Sequence, residues 1–282
     1  MATTTLDVRP LAPALGAEVD VDLADLDLAD LDEVTFAAVR RAFLDHVVLV
    51  FHGQDLSPAA QVAFTARFGP VEAHPLKSRR GLPDHPEILV LENQPGQPGA
   101  RNDFWHSDIS FAERPPALTV LHGIVVPPGK GDTLFCNMVA AYDGLPEAQR
   151  ARLDGLTGLH SAEPLAARSR AAGTDAKPIA DVPPPQPHPA VRTHPETGRR
   201  ALYVNPYFTQ GFEELPESEG RALIEELSDF ATRPDNVYRH RWRAGDVVMW
   251  DNRAAMHYAV YDYSEDEPRL MHRTTAGGDR PT

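Results

Sequence analysis

Apolar positions along the chain come mostly as short runs of four to eight residues broken by Gly, Pro and Asp, the pattern of strands rather than long helices. Residues 6–23 alternate loosely around Pro10 and Pro13 and predict short strands with a turn. Phe36, Val39, Ala42 and Phe43 stand at helical spacing within 33–45, and the β-branched run His46-Val-Val-Leu-Val-Phe51 predicts a buried strand. Ser57-Pro58 is a helix start, with Ser as N-cap and Pro in the first turn, and Gly69 its expected C-terminal glycine. Further strands are predicted over 87–92, 117–126 and 133–136, and short helices over 138–143 and 146–153. Residues 191–194 and 201–205 flank Pro195-Glu-Thr-Gly198 as a hairpin, 218–231 is the clearest amphipathic helix, and 237–243, 246–251 and 269–275 are strands.

Strands dominate, and helices sit at the flanks. The expected class is therefore mainly β with flanking helices, a double-sheet jelly roll, with a doubly wound α/β fold as the weaker alternative because no regular βαβ alternation or Gly-rich phosphate loop occurs. No internal repeat or linker divides the 282 residues, so one domain over 1–282 is expected. Within it, the Ala-, Pro- and Arg-rich stretch 163–189 reads as a lid or a disordered insert. The acidic run from Asp25 to Glu33 reads as a solvated surface segment.

A net charge of −14 changes the picture in two ways. It opposes general nucleic-acid binding and adhesion to anionic membranes, and it makes any local cluster of Arg, Lys and His more informative. A single cysteine, Cys136, permits no intrachain disulfide, and the N-terminus has neither the basic nor the apolar region of an export signal. With no apolar run long enough to span a bilayer, a soluble cytoplasmic protein is expected.

The candidate chemistry begins at Asn102-Asp-Phe-Trp-His106-Ser-Asp108, which holds the only His-x-Asp of the sequence. In an extended segment side chains two apart share a face, so one imidazole and one carboxylate can approach an ion from the same side. With twelve His in a chain so rich in Asp, about one such spacing is expected by chance, and the motif needs support from elsewhere. His257 supplies some: it follows the strand ending Trp250-Asp-Asn-Arg253 and is read as lying in a polar turn just past it, where a structural histidine is equally reasonable. A His-x-Asp and a distant His are the ligand set of non-heme Fe(II) oxygenases. On the strand Arg269-Leu-Met-His-Arg273, period-2 alternation sets Arg269, Met271 and Arg273 on one face. Two inward guanidiniums are unfavourable unless anions meet them, and Arg suits bidentate capture of a carboxylate or sulfonate. Two surface arginines on an edge strand are the bland alternative.

Taken together, Trp105-His-Ser-Asp108, Gly131-Asp-Thr-Leu134, Val191-Arg-Thr-His-Pro195, Trp250-Asp-Asn-Arg253, Met256-His-Tyr258 and Arg269-Leu-Met-His-Arg273-Thr274 resemble, in order, the motifs of the taurine dioxygenase family. Its members are Fe(II)- and 2-oxoglutarate-dependent oxygenases and include alkylsulfatases and aryloxyalkanoate dioxygenases. The resemblance spans nearly the whole chain and implies a double-stranded β-helix. It implies that His106, Asp108 and His257 hold Fe(II), and that Arg269 and Thr133 bind the distal carboxylate of 2-oxoglutarate, with O2 as the second co-substrate. It further implies that Arg273 anchors an anionic substrate with His74 and Asn102, and that Ile109 and Phe208 line an apolar pocket. Where taurine-type members carry a Tyr near the His-Pro histidine, this chain has Lys77, a further candidate substrate contact, followed by Arg79 and Arg80.

The activity implied is hydroxylation of a small organic anion at the carbon beside a sulfonate or sulfate ester, with succinate and CO2 as the other products. The same chemistry on an aryloxyalkanoate, or on an amino acid or natural-product intermediate, is the alternative within the class. A non-catalytic jelly-roll binding protein and a zinc hydrolase are the alternatives outside it. Family resemblance also implies a homo-oligomer, dimer or tetramer.

Overall fold

A computed structural model describes residues 6–20, 33–75, 81–95, 101–171 and 182–282. The acidic run 25–32 and Lys77, Arg79 and Arg80 lie outside the described residues. In chain order the N-terminal part contributes β1 (Asp7–Pro10), β2 (Ala17–Asp20), α1 (Glu33–His46), β3 (Val48–Phe51), α2 (Pro58–Ala66) and β4 (Leu89–Asn93). The middle contributes β5 (Leu118–Val125), β6 (Thr133–Asn137), α3 (Met138–Gly144), α4 (Glu147–Leu153), β7 (Thr157–His160), α5 (Glu163–Ala171) and β8 (Gln186–Pro189). The C-terminal part contributes β9 (Val191–Thr193), β10 (Arg200–Leu202), β11 (Thr209–Phe212), α6 (Glu217–Ala231), β12 (Val237–His240), β13 (Val247–Asp251), β14 (Ala255–Ala259) and β15 (Arg269–Ala276).

A seven-stranded sheet in the order β1-β2-β3-β13-β5-β15-β4 is the larger layer of a jelly roll, and the three-stranded sheet β12-β6-β14 is the smaller one. Pairing is antiparallel throughout except between β2 and β3. The apolar runs explain the layering. On β3 and β13, Val48, Val50, Val248 and Trp250 face inward to a core shared with Phe135 and Met271. Their neighbours Leu49, Phe51, Val247 and Met249 face outward, under Val39, Ala42 and Phe43 of α1 and Phe64 of α2. Strands buried on both faces read as continuous apolar runs rather than alternating ones, which is why these were visible from sequence.

Helix α2 starts as expected, with the Ser57 hydroxyl accepting a hydrogen bond from the Ala60 N–H at 3.2 Å. It ends sooner: Arg67 is the C-cap, and Gly69 lies two residues beyond it. The strand expected over 46–51 begins at Val48, because His46 completes α1 and Val47 takes φ +68°, its N–H bonding to the Phe43 carbonyl. A left-handed valine is strained by about 1–2 kcal/mol, so nothing local in Val-Val announces it.

Within the described part of 163–189, Glu163–Ala171 is α5 and Gln186–Pro189 is β8, which pairs with β7, and β7 pairs in turn with β11. Gly and Pro in these short strands hid them: Gln186-Pro-His-Pro189 is a strand that lacks two N–H donors. The hairpin joining β9 to β10 is as expected, with Arg200 opposite Thr193. Helix α6 buries Leu223, Ile224, Leu227 and Ala231 as its periodicity demands.

Candidate active site

His257 is not in a polar turn. The turn is Asn252-Arg253, closed by the Ala254 N–H on the Asp251 carbonyl, after which the chain returns as β14 along β6 with His257 opposite Phe135. Ala255-Met-His-Tyr-Ala259 is a composition of low β-propensity, and partnership with β6 makes it a strand. The segment before Asp108 runs extended beside β14, as the His-x-Asp spacing requires. The His106 N–H donates to the His257 carbonyl at 3.0 Å, the reverse bond is 2.8 Å, and the Ala259 N–H donates to the Asn102 carbonyl at 3.1 Å.

This ladder brings His106, Asp108 and His257 together with a ligand atom of each within 4.8 Å of the others. Both imidazole Nε2 atoms face Asp108 Oδ1, at 3.7 Å from His106 and 3.8 Å from His257. His106 Nδ1 donates to the Phe104 carbonyl at 2.9 Å, leaving Nε2 as a lone pair aimed at the cluster. His257 Nδ1 is buried without a partner. Burial pushes the His106 imidazole down from its ordinary value, and burial together with the neighbouring His106 pushes His257 down to about 3. Burial disfavours ionisation of Asp108, but Arg273, His257 and His106 outweigh it and hold the carboxyl well below its usual range. Two neutral imidazoles and one ionised carboxylate are the protonation states a divalent ion requires, so these residues fit a metal.

Asp108 is held from behind. The Thr119 hydroxyl donates to Oδ2 at 2.7 Å, Asn252 Nδ2 donates to Thr119 Oγ1 at 2.9 Å, and Trp250 Nε1 donates to Asn252 Oδ1 at 3.0 Å. Oδ1 is thereby turned toward the two imidazoles and the Arg273 guanidinium. Immediately after Asp108, Ile109 adopts φ +50°, a strained conformation for a β-branched residue. It turns the chain so that Ile109 joins Phe111, Ala162 and Phe208 in a separate apolar cluster.

Two cavities meet at the three-donor cluster. The first is lined by His257, Thr133, Arg269, Tyr261, Tyr263 and Arg273, among others. Arg269 is 9% exposed and its Nε has no partner; its guanidinium lies 5.6 Å from the Tyr263 ring centroid. Gly131, at φ +72°, makes room for it: a β-carbon there would lie 3.2 Å from Nε. Trp242 Nε1 donates to Thr133 Oγ1 at 2.9 Å, so the Thr133 hydroxyl keeps its own proton to give. The second cavity is lined by His74, Leu89, Phe104, His106, Asp108, Ile109, Phe111, Leu165 and Phe208, with Leu91, Asn102 and Arg273 shared with the first. Arg273 Nη1 is 3.0 Å from Asp108 Oδ1, while its Nε and Nη2 are buried without partners.

Arg269, Met271 and Arg273 all point inward from β15, as alternation predicts. Thr133 and Arg269 thus share one cavity, and His74, Ile109 and Phe208 the other. Sequence reasoning missed Thr119, Asn252, Trp242, Tyr263, Phe104 and Leu165. Asn252 and Phe104 sat inside recognised motifs; for the others no local signal exists, since each reaches the site from a separate strand, loop or helix.

Residues 7–275 match the family model described as taurine catabolism dioxygenase TauD, TfdA family. The chain is 39% identical over 264 residues to an alpha-ketoglutarate-dependent 2,4-dichlorophenoxyacetate dioxygenase of Cupriavidus pinatubonensis, covering 88% of this chain and 90% of that protein. It is 36% identical to an alpha-ketoglutarate-dependent sulfate ester dioxygenase of Pseudomonas putida, covering 98% and 91%. The crystal structure of a taurine dioxygenase from Burkholderia xenovorans superposes with a TM-score of 0.81 at 36% identity, covering 98% of this chain and 91% of that one.

Proposed function

The chain belongs to the taurine catabolism dioxygenase TauD, TfdA family, and from that premise we propose that it hydroxylates a small organic anion carrying an apolar tail, at the carbon beside a sulfate ester or sulfonate. It is a dioxygenase dependent on 2-oxoglutarate (alpha-ketoglutarate), Fe(II) and O2. His106, Asp108 and His257 are the proposed ligands of the iron, Thr133 and Arg269 the carboxylate site of 2-oxoglutarate, and Arg273, His74 and Asn102 the anion site of the substrate, with Ile109 and Phe208 along its tail.

The observation that carries this reading is the pair of buried arginines, Arg269 in the wall of the first cavity and Arg273 where the two cavities meet, each with donors that no protein group satisfies. A buried cation with idle donors is unfavourable, and each is relieved by an anion. Iron when bound supplies the activation of O2 by 2-oxoglutarate that leads to C–H hydroxylation. The residues supply the geometry. Arg269 and the Thr133 proton fix one end of the keto acid, and Tyr263 covers the guanidinium against water. Arg273 pulls the substrate's anionic group toward the junction of the cavities, so that the next carbon faces the three-donor cluster. The tail then lies on Ile109, Phe111 and Phe208. Asp108 is the one carboxylate among the described residues lining this cavity, which gives no separate partner to the ammonium of a taurine-like substrate and favours an alkyl or aryl tail. Aryloxyalkanoates are the second reading, supported by the aromatic lining.

No helix among the described residues is long and apolar enough to cross a membrane, and we propose a cytoplasmic homo-oligomer. The experiment is anaerobic: Fe(II) and 2-oxoglutarate are mixed with the protein, the metal-to-keto-acid absorption band is recorded, and linear alkyl sulfates, alkylsulfonates and aryloxyacetates are screened for a shift of that band and for succinate release. Absence of any band refutes the iron site. A band that none of these tailed anions shifts, but that taurine added for comparison does, refutes the apolar-tail assignment.

A further inference from the structure

Helix α5 lies in the stretch that the sequence leaves as a lid or an insert, and its register is specific. Ala162, just before it, and Ala166 are fully buried, and Leu165 completes the same i, i+3, i+4 face. Leu165 packs against the cluster of Ile109, Phe111 and Phe208 and forms part of the second cavity's wall. One turn on, Arg168 Nη2 donates to Asp103 Oδ1 at 2.5 Å, and the guanidinium carbon lies 5.4 Å from the Phe104 ring centroid. Phe104 is also stacked by Tyr207, with centroids 3.4 Å apart and planes at 11°, and its ring centroid is 4.8 Å from that of His106. An ion pair and a cation–π contact of Arg168 thus join α5 to the segment that carries His106.

We propose that Leu165 is the residue that sets the length and width of substrate tail the enzyme accepts, and that Arg168, through Asp103 and Phe104, positions α5 so that Leu165 closes the far end of the cavity. The proposal rests on the reading of the second cavity as the substrate site. Three features support it. The anion-binding donors of Arg273 lie at the metal end, so a bound tail points away from the metal. The aliphatic and aromatic lining away from the metal ligands, Leu89, Leu91, Ile109, Phe111, Phe208 and Leu165, is apolar. Of these six, Leu165 alone is on a helix held to the pocket by a partly exposed ion pair; Leu89 and Leu91 are fixed on β4 against β15, Ile109 and Phe111 belong to the strained turn after Asp108, and Phe208 has its N–H bound by the Asn205 side chain at 2.7 Å. Bulk can therefore change at position 165 without disturbing the metal ligands.

The test uses the full chain loaded with Fe(II) and 2-oxoglutarate and a graded series of butyl, hexyl and octyl sulfates with phenoxyacetate as the wide probe. Leu165→Ala should raise kcat/KM for the longer or wider members by roughly three- to four-fold per additional methylene buried, and Leu165→Phe should reverse the preference. Arg168→Gln should raise KM for every tailed substrate several-fold while leaving the affinity for 2-oxoglutarate, read from the anaerobic band, unchanged; Arg168→Lys should restore part of the loss. The same tail profile in both Leu165 variants as in the natural chain overturns the specificity assignment. An Arg168→Gln effect that falls equally on 2-oxoglutarate affinity overturns the positioning role. If the band forms but no anion of the series binds or turns over, the reading of the second cavity fails, and the inference with it; Leu165 variants that lose folding are recognised by the missing band.

Discussion

Replacing Arg269 by Met should weaken 2-oxoglutarate binding and stabilise the ligand-free protein at the same time. The guanidinium is almost wholly enclosed, with Nε unpartnered, and among the described residues no carboxylate forms an ion pair with it. A buried polar group left unsatisfied costs about 1–3 kcal/mol, more when charged, and Met of similar length removes that penalty. Loss of the contact with the Tyr263 ring at 5.6 Å subtracts about 0.5–1 kcal/mol. The ligand-free variant should therefore gain roughly 1–2 kcal/mol, near 2–4 °C in Tm for each kcal/mol in a chain of this size. Binding moves the other way. A buried carboxylate deprived of its cationic partner loses about 3–5 kcal/mol, a rise in Kd of between about 10² and 10³ or more. Urea unfolding of the metal-free protein reads the first quantity, and calorimetric titration of the Mn(II)-loaded protein with 2-oxoglutarate reads the second. A variant that is less stable without ligand, or that binds the keto acid as tightly as the natural chain, refutes the reasoning that Arg269 is an idle cation awaiting a carboxylate.

Thr119→Val removes the donor to Asp108 Oδ2 and should lower metal affinity about 10–100-fold, read by competition with a chelator; unchanged affinity would show that Asn252 and Trp250 steady nothing. Trp242→Phe frees the Thr133 hydroxyl from its donor and should raise the 2-oxoglutarate Kd a few-fold, with little effect on substrate tail preference. The pH dependence of stability should carry two signatures from Asp246, which is buried between His52 and His240. Its hydrogen bond to Asp246 raises His52 above its ordinary 6.5, against burial; that contribution is full below 6.5 and fades as pH rises through the raised value. Burial opposes ionisation of Asp246, but the nearby His240 imidazole and the hydrogen bonds from His52 and the Arg243 N–H lower its carboxyl from 3.8 to about 2. Its contribution is present above pH 3.8 and lost as pH falls through 2. His52→Gln should flatten the neutral-pH slope in chemical denaturation; an identical slope would exclude the pair as its source.

Much of this protein was fixed locally. The doubly buried runs of β3, β5 and β13, the face of α6, the Ser57-Pro58 helix start and the inward alternation of Arg269, Met271 and Arg273 follow from periods of 2 and 3.6 and from capping chemistry. The His-x-Asp spacing likewise allows His106 and Asp108 to face one ion, although Asp108 itself opens the turn through Ile109. Packing decided the rest. His257 becomes a strand residue because β6 pairs with it, Val47 and Ile109 take left-handed conformations because the elements on either side require it, and 163–171 and 186–189 form α5 and β8 although their composition suggests a loop. The groups that tune the site, Thr119 on Asp108, Trp242 on Thr133, Tyr263 on Arg269 and Leu165 on Phe208, meet partners 11, 109, 6 and 43 residues away. Each is an ordinary side chain in its own neighbourhood. A hydrogen bond or a cavity wall is a relation between elements, and period, propensity and spacing describe only one element at a time.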